Sequence, residues 1–110
     1  MNPGRMRLLA RWAHHRPDEY NAFVRRSQNL NQRQAQAELL LTMLETIAAD
    51  VESNPHADFN LVQPGGCWSA IWSYGRLEAG DEADDDDVAI ALLKVYVERL
   101  ERLDREVQRG

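Results

Sequence analysis

The chain has 110 residues, of which 44% are hydrophobic and 28% charged, a balance that suits one folded domain and excludes wholesale disorder. A single cysteine, Cys67, excludes an intrachain disulfide and points to a reducing, cytoplasmic setting. The net charge of −5 is unevenly spread: residues 1–33 set seven arginines against Asp18 and Glu19, whereas 34–87 set Arg76 against twelve acids.

In chain order, the segment 1–16 is basic, and its apolar residues are too interrupted by Arg5, Arg7 and Arg11 for a signal sequence. Within it, 6–14 reads as a short helix with Met6, Leu9, Ala10 and Ala13 near one face. Pro17, Asp18 and Glu19 mark a second helix start, because proline and acids suit the first turn. That helix carries Tyr20, Phe23, Val24 and Ser27 on one side. Around 27–32 the pattern weakens; Asn29 or Asn31 suits a fresh cap, but the absence of Gly and Pro favours one continuous helix.

From Gln34 the periodicity is strong, with Ala37, Leu40, Leu41, Leu44, Ile47, Ala48 and Val51 at spacings of three and four until Asn54-Pro55. Residues 59–62 suit an extended piece without an evident partner. After the break at Pro64-Gly65-Gly66, Trp68, Ile71 and Trp72 predict a helix over 67–77, followed by an acidic loop over 79–87. Residues 88–97 are apolar on nearly every side and therefore need enclosure, and the aspartates before them favour a helix start. Beyond them a narrower stripe of Leu93, Tyr96, Leu100, Leu103 and Val107 follows heptad-like spacing. The expectation is an all-α fold over 1–110, a single helical domain of four to five helices, with a long central helix and a long C-terminal one. The stripe and the small size predict a homodimer.

For chemistry, the run Gln63-Pro64-Gly65-Gly66-Cys67-Trp68 resembles the nucleophile region of papain-like proteases, which would make Cys67 a thiol activated at a helix start. The resemblance ends there, since no histidine follows Cys67. His14, His15, His56 and Asp84–Asp87 lack metal-ligand spacing, so neither a metal nor another cofactor is expected. With no titratable cluster in sight, the expected function is non-enzymatic: a stoichiometric protein-binding regulator, such as an inhibitor or antiactivator that sequesters a transcription factor. Phage-encoded inhibitors and bacterial quorum-sensing antiactivators are similar in size and acidity. The expected interaction residues are Tyr96, Leu100, Leu103 and Val107, with Trp68 and Trp72 as an aromatic pair. The alternative is a nucleic-acid-associated protein contacting phosphates through Arg5, Arg7, Arg11, Arg25 and Arg26, against which the overall acidity counts.

Overall fold

The computed structural model describes residues 3–74 and 80–109. Four helices, α1 (Pro3–His15), α2 (Pro17–Ser27), α3 (Gln32–Ser53) and α4 (Val88–Arg109), accompany a sheet of β1 (Ala57–Val62), β2 (Trp68–Tyr74) and β3 (Asp81–Asp85). The strands are antiparallel in the order β1-β2-β3. The all-α expectation is therefore corrected: the fold is mixed, helix plus sheet.

The correction falls on 67–74 and 81–85. Trp68, Ala70 and Trp72 form a period-two set as readily as Trp68, Ile71 and Trp72 form a helical one, so the local pattern is ambiguous. Non-local pairing decides it. Across the turn, Val62 faces Ser69, Leu61 faces Ala70 and Phe59 faces Trp72. Gly65 and Gly66 supply the positive φ angles, 63° and 89°, on which that turn depends. The remainder of the expected helix, 75–77, lies outside the described residues, as does position 79, the first of the expected acidic loop. Gly80 then brings the chain alongside β2 so closely that a Cβ would lie 2.9 Å from Ser73 Cβ.

β3 has the sequence DEADD, which has little strand propensity. Its alternation nonetheless works. Ala83 is buried, and Asp81 and Asp85, on the same side, meet cations from α4, while Glu82 and Asp84 face outward. Asp81 takes a two-nitrogen contact from Arg102, 3.2 Å from Nε and 2.9 Å from the terminal nitrogen. Asp85 accepts from Lys94 Nζ at 2.8 Å. Asp87 receives the α4 backbone N–H groups of Ala89 and Ile90, so the end of the acidic run does start that helix.

α4 is the centre of the molecule and packs on α1, α3, β2 and β3. Residues 89–93 and 95–97 are all buried, as their all-round apolarity requires. The helical run through 27–32 is broken rather than continuous. Asn31 and Gln34 form a reciprocal capping box at the start of α3, and that box satisfies amides a continuous helix would have used. α1 also differs from its expected face: Leu8 and Trp12 are buried, while Met6 and Ala10 are exposed.

Candidate functional site

α3 is apolar on two adjoining faces, about 120° apart around the helix. Leu39, Met43 and Ile47 are buried against the rest of the fold. Ala37, Leu41, Leu44, Ala48 and Val51 are exposed, with Leu41 55% and Leu44 41% accessible. Their spacing of four, three, four and three places them in one row along the helix, the pattern with which one helix packs on another. Periodicity groups these residues with Leu40 and Ile47 as one stripe. The structure divides that stripe and brings in Leu39 and Met43, which the pattern had passed over.

One position after three of the row's members stand Glu38, Glu45 and Glu52, seven residues apart. Glu38 is engaged by Arg26, whose Nε lies 2.7 Å from it and whose terminal nitrogen donates to Thr42 at 3.1 Å. Glu45 and Glu52 are exposed and make no ion pair among the described residues. An apolar row edged by carboxylates is thus left on the surface. The heptad subset, with its glutamates, was the sequence signal for it.

The residues singled out from the C-terminal stripe divide by burial. Tyr96, Leu100 and Trp72 lie in the core at 6%, 3% and 1% exposure, Trp68 and Leu103 are half-buried, and Val107 is exposed. Trp68 and Trp72 share a face of β2 rather than a turn of helix. The acids and arginines of α4 reach other elements: Glu101 accepts from Arg11, and Arg102 binds Asp81 as well as Glu106 within the helix.

Three of the five candidate phosphate-contacting arginines face carboxylates of the chain itself. Arg5 lies 4.0 and 3.9 Å from Asp85 and Asp87, Arg11 makes a two-point contact with Glu101, and Arg26 holds Glu38. Arg7 and Arg25 are exposed and make no ion pair among the described residues. The basic first third is thereby largely matched to acids elsewhere in the fold.

Cys67 is half-buried and precedes β2, so the helix start expected to activate it is absent. Its Sγ lies 3.9 Å from the Trp68 carbonyl. Among the described residues no three His, Cys, Asp or Glu side chains are grouped to hold a metal ion, and no helix is long and apolar enough to cross a membrane. A cavity of about 360 Å³ opens between α1, α2 and the inner side of α3, lined by Leu9, Tyr20, Phe23, Gln36, Leu39 and Ile90. It shares no residue with the outer row.

Compared with known protein families, characterised proteins and solved structures, the chain matches none.

Proposed function

We propose that this protein is a stoichiometric binding module that presents the outer face of α3 to a partner protein. The observation that supports this reading is the exposed row Ala37, Leu41, Leu44, Ala48 and Val51. An isolated exposed leucine is ordinary, but a row at helix-packing spacing on a well-anchored helix is a surface suited to another helix. The anchoring comes from Leu39, Met43 and Ile47 on the adjoining buried face, which fixes the helix to the core while the row stays exposed. Blocking a helical interface is also how an inhibitor or antiactivator of a transcription factor would act, and that remains the role we favour.

The test is the paired behaviour of the native chain and a Leu41→Asp, Leu44→Asp variant whose far-UV circular dichroism and Tm match it. The native chain should retain a partner in near-equimolar amount through size-exclusion chromatography, and the variant should lose it. A partner retained equally by both removes α3 as the binding face.

A further inference from the structure

The glutamates beside the row identify its occupant. Glu38, Glu45 and Glu52 recur every seven residues along one border of the apolar row, the position from which a helix in a paired assembly reaches the charges flanking its neighbour's seam. Glu45 and Glu52 have no cation of their own among the described residues, whereas the acids that pin β3 and α1 to α4 are matched. The opposite border holds Arg33, exposed at the start of the helix, and then Leu40 and Ile47, half-buried and buried in the fold, so it offers no charge beside Glu45 and Glu52.

A second copy of the chain fits this surface poorly. Two α3 helices packed antiparallel on their rows would set the Glu45 of each copy against the other and Glu38 against Glu52, and packed parallel they would set Glu45 and Glu52 beside Leu40 and Ile47, with no cation for either. Building on the α3 reading above, we infer that the occupant is an amphipathic helix of another protein, with leucine-like residues at heptad spacing and Lys or Arg flanking them. The apolar row supplies adhesion, and the glutamates reject acidic helices, including this chain's own α3.

The probe is a fluorescently labelled synthetic helix with leucine at the two heptad seam positions and lysine at both flanking positions, compared with a twin carrying glutamate there. Anisotropy titrations use the full chain, with each peptide kept below its own association range. The lysine peptide should bind about five- to tenfold more tightly than its twin, the effect of two favourable pairs at Glu45 and Glu52 against two unfavourable ones, with the gap narrowing as salt screens the charges. Glu45→Lys, Glu52→Lys should reverse the preference, and Leu41→Asp, Leu44→Asp should abolish binding of both. Equal binding of the twins to the native chain overturns the basic partner while leaving the α3 face intact. Binding that survives Leu41→Asp, Leu44→Asp, or no binding of either peptide, overturns both. Sedimentation of the chain alone supplies a separate arm: a monomer supports the inference, and a dimer dispersed by Leu44→Asp assigns the face to a second copy and overturns it.

Discussion

The Arg99 guanidinium lies over the face of Trp72, 4.4 Å from the ring centroid, and the two side chains share Asp50. Asp50 accepts from the Trp72 indole N–H at 3.1 Å and lies 3.8 Å from Arg99. Burial lowers the guanidinium to about 10, so the charge is kept at neutral pH at a desolvation cost that ring and carboxylate offset. Trp72→Phe keeps a ring but loses the indole donor. It should cost about 1–3 kcal/mol, and Trp72→Ala about 3–5 kcal/mol, both measured from urea midpoints.

Tyr96 also stacks on Trp72, the ring centroids 6.1 Å apart at an interplanar angle of 19°. Its hydroxyl donates to Glu19 at 2.7 Å, and Glu19 also receives the Trp12 indole N–H at 3.2 Å. Burial, followed by the bond to Glu19, drives the phenol well above its ordinary range, so it stays a donor at all working pH values. Tyr96→Phe leaves the carboxylate one donor short and should lower stability by about 1–3 kcal/mol, whereas Glu19→Gln should be milder because it also removes a half-buried charge. Thermal unfolding of both variants checks the order.

β3 should open before the rest of the molecule when its cations are removed. Arg102→Met and Lys94→Met keep much of the packing area and delete the contacts to Asp81 and Asp85. Amide hydrogen exchange should then accelerate at 81–85, while α4 amides in 89–97 retain most of their protection. Uniform acceleration across both would count against a locally pinned strand.

Two carboxyls set an acid limb to the stability curve. For Glu101 the Arg11 hydrogen bond is the main influence and lowers it below its ordinary 4.5, against a smaller opposing effect of burial. For Asp85 burial is the largest influence and raises it, but the Lys94 hydrogen bond, the Asp87 amide and the Arg5 charge more than reverse this. A carboxyl lowered in the folded state stabilises fully above its unfolded value, here 4.5 and 3.8, and loses that contribution as pH falls through the folded one. The urea midpoint should therefore decline below about pH 4.5. Arg11→Met or Glu101→Gln should make that decline shallower, and an unchanged slope would contradict the assignment.

The helices were readable in the sequence because their signals are local. Pro17 with Asp18 and Glu19, the pattern from Gln34, and the apolar block 88–97 each mark an element that exists. The sheet was not, because it depends on pairing between distant residues. Trp72 as a strand residue depends on Phe59 on one side and Asp81 on the other, and Asp81–Asp85 becomes a strand only where Arg102 and Lys94 receive its acids. The candidate face was hidden for another reason. Seven apolar residues of α3 follow one periodic pattern, but a helix apolar over so wide an arc can bury one side and leave the other exposed. The aromatic and leucine positions of 96–103 pointed to recognition by the same spacing that takes Tyr96 and Leu100 into the core.

Amide chemical-shift mapping tests the central claim most directly. The isotopically labelled full chain is titrated with the lysine-flanked helical peptide, and its amide and methyl resonances are followed. The predicted result is a contiguous set of shifts along 37–52, strongest at Leu41, Leu44 and Ala48, with 93–107 and the cavity residues Tyr20 and Phe23 little changed. Shifts centred on 93–107 or on that cavity, with the α3 row silent, would contradict the account.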